Sequence, residues 1–291
     1  MRRRVRTRQR HRAGGLPQLR RANRATEMIE LRAAAAARSL VLEASVGRGG
    51  ANRPADVRAV KQRLRELGFA WLDDTTTMDE STMATIRLFQ AIQNGLHRVD
   101  HPRNNGRIDP DGRTHRWLQA WNAPRWQVMP RGGREAGFLN FELLDEADQH
   151  DYGTSWMAET IIAAGASYRD AYLATHPRAA LLATNDVSLP RGGNTPDHTT
   201  HETGLDCDCR LPRTDGTSGG ITWNRPGTHQ KHPLYDREAA RAMLLALRRQ
   251  PLWRRTLFND PVLIAEGLCQ AAPGHDDHIH FEIRPPAPVF G

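Results

Sequence analysis

The stretch His201–Asp208 reads HETGLDCD, and a second stretch, Gly274–His280, reads GHDDHIH. The end of each stretch alternates polar with apolar residues, which is the pattern of a β-strand with one buried face. In such a strand His278 and His280 lie on one face, and Ile279 lies on the other. The pattern therefore predicts two strands that bury apolar side chains and present imidazoles and carboxylates to a cleft.

These polar residues have the chemistry of a catalytic zinc site. Gly204 can turn the chain sharply and bring His201 back beside Asp208. Two neutral imidazoles and a carboxylate suit Zn²⁺, and a fourth position left to water makes such a site catalytic. An H-x-H pair alone arises easily in a chain with 13 His, so the prediction depends on both stretches together.

The joint pattern resembles the penicillin-insensitive murein endopeptidases. These belong to the group of zinc peptidases that includes lysostaphin-type and D-alanyl-D-alanine-cleaving enzymes. The resemblance is carried by residues 198–208, by residues 274–280 and by the sequence SLPRGG at 188–193. It covers roughly residues 150–285, and the combination of motifs is specific.

The resemblance implies a function and a set of site residues. It implies a zinc-dependent hydrolase that cleaves a D-alanyl-diaminopimelyl peptide bond in the peptidoglycan stem or cross-link, as a host enzyme or as a phage-type lysin. An inactive wall-binding protein and a D-alanyl-D-alanine carboxypeptidase or dipeptidase are the alternatives. The chain has no HExxH sequence, so thermolysin-type chemistry is not supported. By the resemblance the metal ligands are His201, Asp208, His280 and His198, and the catalytic imidazoles are His278 and His275.

A small helical domain is predicted over residues 46–122. Apolar residues recur at three- and four-residue steps over 54–68 and over 79–95, and a short third helix carries Trp117. This arrangement resembles the peptidoglycan-binding module of wall hydrolases, although its segment from Phe89 to Gly106 is longer. The matching residues are Asp56, Val57, Leu64, Leu67, Gly68, Thr82, Ile86, Phe89, Gln90, Gly106, Asp109, Gly112 and Thr114.

The remainder, residues 138–291, is predicted to be a zinc peptidase domain of the α+β class on a small antiparallel sheet, because strands are mixed with flanking helices. Residues 123–137 contain several Pro and Gly and are predicted to be a linker. The predicted helices span 138–150, 155–173, 235–250 and 260–270, and the predicted strands span 180–187, 206–208, 256–258 and 277–284.

Positive charge is concentrated at the start of the chain. The net charge is +8, but residues 1–26 hold ten Arg and no acidic residue, which leaves 31 basic against 33 acidic residues beyond them. We expect residues 1–45 to form a disordered basic tail and a helix. We expect no nucleic-acid partner for the folded body; the alternative of nucleic-acid binding depends on the tail alone.

Peptidoglycan is the expected partner, which places the protein in the periplasm, in the cell wall or outside the cell. The sequence has no run of 18 apolar residues that would predict a transmembrane helix. No apolar segment follows the arginines, so no signal peptide is recognised. The oligomeric state is not predicted.

Overall fold

Six helices and ten strands make up the described part of this computed structural model, which comprises residues 40–144, 149–196 and 198–290. The structure is mixed α/β with small sheets and is compatible with the predicted α+β class. The predicted basic tail lies outside the described residues as far as position 39, and residues 40–45 are not helical. No helix in the described ranges is long and apolar enough to cross a membrane.

The first part of the described chain contains the three predicted helices. They are α1 (Pro54–Glu66), α2 (Glu80–Asn94) and α3 (Arg113–Gln119), beside a pair of short strands, β1 (Val46–Gly47) and β2 (Arg107–Ile108). The Asp79 side chain accepts a hydrogen bond of 2.7 Å from the Thr82 amide and so caps the start of α2. Gly95 ends that helix with a φ of 65°, a conformation that glycine adopts without strain.

A six-stranded sheet forms the centre of the second part. Its strands lie in the order β4-β5-β7-β8-β10-β9, and every neighbouring pair is antiparallel except β5 with β7. These strands are β4 (Gly132–Gly133), β5 (Phe138–Asn140), β7 (Leu182–Thr184), β8 (Asp206–Arg210), β9 (Trp253–Leu257) and β10 (His278–Ile283). The prediction of a wholly antiparallel sheet was therefore wrong at one pair of strands.

Three further helices and one further pair of strands complete the second part. The helices are α4 (Ser155–Tyr168), α5 (Arg237–Arg248) and α6 (Pro261–Ala265), and β3 (Trp126–Val128) pairs with β6 (Tyr152–Thr154). Helices α4 and α5 contact each other and the central sheet. The predicted helices over 155–173 and 235–250 are confirmed, whereas the helix predicted over 260–270 is limited to α6.

Two predicted segments have a different structure. The helix predicted over 138–150 is wrong, because residues 138–140 form β5, which is paired on both sides within the sheet. Pairing and the burial of Phe138 outweigh the helical pattern of that segment. The segment 123–137, predicted as a linker, contains β3, β4 and a 3₁₀ turn. It is therefore not an open connector, and the boundaries of the two predicted domains stay a prediction.

Buried aromatic rings join the part of the chain that contains α1, α2 and α3, called here the helical part, to the part that contains the central sheet. The Trp126 ring stacks on Phe69 of the helical part with centroids 6.0 Å apart, and its Nε1 donates to the Pro190 carbonyl at 2.8 Å. Trp117 of α3 lies 5.6 Å from Trp156 of α4, centroid to centroid. One cluster of buried apolar side chains includes all four rings. The helical part is thus packed against β3, α4 and the loop at Pro190.

Candidate metal centre

Strands β8 and β10 bring the two motifs side by side. In their antiparallel pairing His280 is opposite Asp208, and His278 is opposite Arg210. Ile279 and Phe281 of β10 are fully buried on the other face, as the alternating pattern predicts. The pairing therefore sets the His280 imidazole next to the Asp208 carboxylate across two neighbouring strands.

A turn before β8 adds the third side chain. His201 has a φ of 65°, in the left-handed region that a histidine rarely adopts, and Gly204 has a φ of 64°. A Cβ on Gly204 would lie 2.5 Å from the Cα of Gly153, so only glycine allows the chain to turn this closely. Nδ1 of His201 donates to the Val187 carbonyl at 3.2 Å. That hydrogen bond fixes the ring and leaves Nε2 as the nitrogen that can bind a metal.

Three of the four predicted ligands converge on one point. Nε2 of His201 lies 3.2 Å from Nδ1 of His280 and 3.4 Å from Oδ1 of Asp208, and Nδ1 of His280 lies 2.8 Å from that same oxygen. Zinc bonds of about 2.0–2.1 Å in a tetrahedron separate neighbouring ligand atoms by about 3.3–3.4 Å. The observed triangle is close to one face of such a tetrahedron, so the residues present fit a metal ion of this size.

The three side chains are almost completely buried, yet they line a cavity. His201 is 2% exposed, and Asp208 and His280 are each 4% exposed. They border a cavity of 310 Å³ whose wall also includes His275 and His278. A larger cleft of 590 Å³ is also lined by Asp208 and His278. The side chains of the triangle thus border space that a water molecule can enter.

The two predicted catalytic imidazoles lie beside this triangle. Nδ1 of His278 is 2.7 Å from the Asp277 carboxylate, and its Nε2 is 3.6 Å from Oδ2 of Asp208. The His275 ring lies 5.4 Å from the His280 ring, and its Nδ1 donates to the Pro273 carbonyl. Burial is the main reason that the pKa of His275 is below its usual value, and the nearby imidazoles lower it further. His275 is therefore a neutral ring at neutral pH.

His198 lies at the edge of the site. One of its ring nitrogens lies within 4.8 Å of the ligand atoms of His201 and Asp208, so these three residues could hold a metal ion. Its Nε2, however, is 3.2 Å from the Asp186 carboxylate. His198 is thus near the predicted ligands but outside their tight triangle.

The electrostatics of the triangle favour charged partners while no metal is bound. Burial alone would lower the pKa of His280, but Asp206, Asp208 and Glu282 raise it to about 12. Burial alone would also lower the pKa of His201, and Asp208 is the main cause of its rise. Burial would raise the pKa of Asp208, but the two imidazoles hold it well below its usual range. The carboxylates therefore give the site negative charge, which protons on the imidazoles neutralise. A metal cation can replace those protons.

A histidine from the helical part completes the surroundings of His280, and no sequence pattern had indicated it. Nδ1 of His97, in the loop after α2, lies 2.7 Å from Oδ1 of Asp206, and its Nε2 lies 3.4 Å from Glu282. Both carboxylates also lie near Nε2 of His280, at 3.5 and 3.7 Å. His97 was missed because it has no spacing relation to either motif; only the packing of the helical part brings it here.

Two other groups of side chains have the composition of a metal site. His97, Asp206 and Glu282 form one of them, and Glu142, His150 and Asp186 form the other. In the first group the two nitrogens of one imidazole face two different carboxylates. Arg254 and Arg255 also pair with Glu282. The residues of that group therefore pair with one another and with the two arginines next to His280, instead of facing one point as metal ligands would.

No protein-family model matches the chain, and no curated protein matches it. The resemblance to murein endopeptidases stays a prediction from the two motifs. What the structure adds is the geometry of the residues that carry those motifs.

Proposed function

We propose that the protein is a zinc-dependent hydrolase that cleaves a peptide bond in the stem or cross-link of peptidoglycan. The observation that carries this proposal is the triangle of His201, Asp208 and His280, which lines a cavity together with His278. A structural zinc site would have a fourth protein ligand. Two imidazoles, one carboxylate and an open position are the donor set of a hydrolytic zinc site.

The residues of the site have separate roles in this proposal. In this proposal His201, Asp208 and His280 hold the metal, and His198, whose Nε2 lies 3.2 Å from the Asp186 carboxylate, does not bind it. Bound Zn²⁺ supplies Lewis acidity, which polarises a carbonyl group and makes water more acidic. Behind the ligands, the Val187 carbonyl orients His201, while Asp206 and Glu282 face the second nitrogen of His280.

His278 is the proposed general base. The Asp277 carboxylate accepts a hydrogen bond from Nδ1–H of His278. Its Nε2, 3.6 Å from Oδ2 of Asp208, is then free to accept a proton. His278 takes the proton of the attacking water and passes it to the leaving amine. His275 lines the same cavity; because its Nδ1 donates to the Pro273 carbonyl and its ring is neutral, its Nε2 can only accept a hydrogen bond.

The helical part fits a supporting role in this function. We propose that it binds the wall polymer, as the resemblance of α1, α2 and α3 to a peptidoglycan-binding module implies. In addition, its loop supplies His97 to the group of paired side chains next to His280. Wall location in the periplasm or outside the cell follows from the proposed substrate.

Digestion of purified sacculi tests the proposal directly. The zinc-loaded protein should release soluble muropeptides, and a chelator should stop the release. His280→Ala should lose zinc binding and hydrolysis together, whereas His229→Ala, a matched change of an exposed loop histidine, should keep both. Mass analysis of the products separates cross-link cleavage from removal of a terminal D-alanine. Intact sacculi after incubation with zinc-loaded protein would refute the hydrolase and leave the wall-binding alternative.

A further inference from the structure

Arg210 occupies a distinctive place beside the predicted metal ligands. It is the last residue of β8, two positions beyond Asp208, and its side chain therefore leaves the strand on the same face. Across the strand pair it is directly opposite His278. The Arg210 side chain lines the 590 Å³ cleft together with these two residues.

The guanidinium of Arg210 is held in a fixed orientation. Its Nε donates to Oδ1 of Asn185 at 2.8 Å, and its Cζ lies 3.7 Å above the centre of the Phe141 ring. A Cβ on Gly219 would meet Cδ of Arg210 at 2.9 Å, so glycine is needed where that loop packs on the arginine. Stacking and one hydrogen bond thus fix the plane of the guanidinium. They do not use its outer edge, which consists of the two terminal nitrogens.

The outer edge of that guanidinium has no partner among the described residues, since only Nε makes a hydrogen bond there. The carboxylates of the cleft have other partners. Asp186 accepts from the Asn185 amide at 2.7 Å and lies 3.2 Å from His198, and Asp277 is paired with His278. The two terminal nitrogens are therefore free to bind a planar anion that enters the cleft.

We infer that Arg210 binds a carboxylate of the substrate, located on the residue whose nitrogen leaves in the reaction. A guanidinium binds a carboxylate through two parallel hydrogen bonds, and an ammonium cannot reproduce that geometry. His278, which gives its proton to the leaving amine, stands directly across from Arg210, so the amine side of the substrate lies here. Asp208 and Arg210 are two residues apart in a strand, a distance of about 6.8 Å. One substrate residue on the amine side of the scissile bond spans that distance.

This inference deepens the proposed function and depends on it. Two sources supply the required carboxylate: a C-terminal amino acid, or a cross-linking diamino acid whose carboxylate lies next to the amide nitrogen. Both have the same group in the same relation to the bond. With Arg210 in this position, either substrate should be favoured over a peptide that has a neutral amide at that point.

Paired substrates test the inference. One pair is an acetylated peptide that ends in D-alanyl-D-alanine, as the free acid and as the carboxamide. The other is a cross-linked muropeptide dimer, with the diamino acid carboxylate free or amidated. For Arg210→Met, kcat/KM for the carboxylate substrates should fall by about 10- to 100-fold, the worth of hydrogen bonds to a charged group. Turnover of the amides should change by less than about 3-fold.

Two further variants serve as controls. Arg210→Lys keeps the charge but loses the planar fork, so it should restore only part of the preference. Arg213→Met removes a nearby arginine that is already paired with Asp215, and it should leave the preference unchanged. Zinc affinity should be the same in all three variants. Of the two pairs of substrates, the pair for which the wild type shows the larger preference identifies the source of the carboxylate.

Binding to the metal-free chain gives a readout that does not need turnover. In an NMR titration the D-alanyl-D-alanine acid should bind more tightly than its carboxamide, and Arg210→Met should abolish the difference. Equal loss of activity on acid and amide, or a wild type without preference in the titration, would overturn the inference. If the wild type cleaves neither the peptides nor sacculi, the proposed function fails, and the titration alone decides whether Arg210 binds a carboxylate.

Discussion

Zinc affinity should rise steeply with pH, because the metal has to displace protons from its own ligands. In the metal-free site the pKa of His280 is raised to about 12, so this imidazole carries a proton throughout the neutral range. Binding releases that proton, and each released proton tightens the apparent affinity tenfold per pH unit. Between pH 6 and pH 8 the association constant should increase at least about 100-fold, or about 2.7 kcal/mol.

A second imidazole increases this effect, and the carboxylates do not. The pKa of His201 is also raised, so metal binding releases up to one further proton. The pKa of Asp208 is well below its usual value, so this ligand contributes no proton above pH 5. The slope of log affinity against pH should therefore lie between one and two.

Competition with a chromophoric chelator at several pH values measures the slope. Calorimetry in two buffers of different ionisation enthalpy counts the released protons independently. His278→Ala should keep the slope, since this imidazole is not one of the three ligands. Zinc binding that neither releases protons nor changes by more than about 3-fold from pH 6 to pH 8 would refute the assignment of His201 and His280 as ligands.

Three substitutions and one control give further tests. His278→Ala should retain zinc but lose about 100-fold or more in kcat, and full activity would remove this imidazole from the mechanism. His97→Ala should weaken zinc binding by about 10- to 100-fold, as measured by chelator competition, because it disturbs the carboxylates behind His280; unchanged affinity would leave His97 a purely structural role. Lys61→Met should lower the free energy of urea unfolding by about 2 kcal/mol, because it removes the buried ammonium that bonds to the carboxylates of Asp73 and Asp79. Arg58→Met, on the same helix and with an exposed partner 3.9 Å away, should change stability by less than about 0.5 kcal/mol, and an equal loss would contradict the importance of burial.

Local patterns in the sequence predict the helices and strands that depend on local chemistry. Helix α2 begins at the Asp79 cap and ends at Gly95, and both signals are visible in the sequence. Strand β10 follows the alternation of His278, Ile279 and His280. These patterns are sufficient because capping and alternation involve residues that are close along the chain.

Other parts of the structure depend on contacts between distant residues. The segment at Phe138 becomes a strand because β4 and β7 pair with it, and no local signal distinguishes that outcome from a helix. Trp126 is buried between Phe69 and Pro190, which a stretch rich in Pro and Gly does not reveal. His97 reaches Asp206 only because the helical part packs on the sheet. The two motifs predicted that His201, Asp208 and His280 lie close together, but they did not reveal the residues that surround them.

The most direct measurement is the position of the metal in crystals of the zinc-loaded protein, located by anomalous scattering at the zinc absorption edge. We expect one strong peak about 2.0–2.2 Å from Nε2 of His201, Oδ1 of Asp208 and Nδ1 of His280, with no fourth protein ligand. A peak among His97, Asp206 and Glu282, or a zinc ion that a fourth side chain encloses, would contradict it.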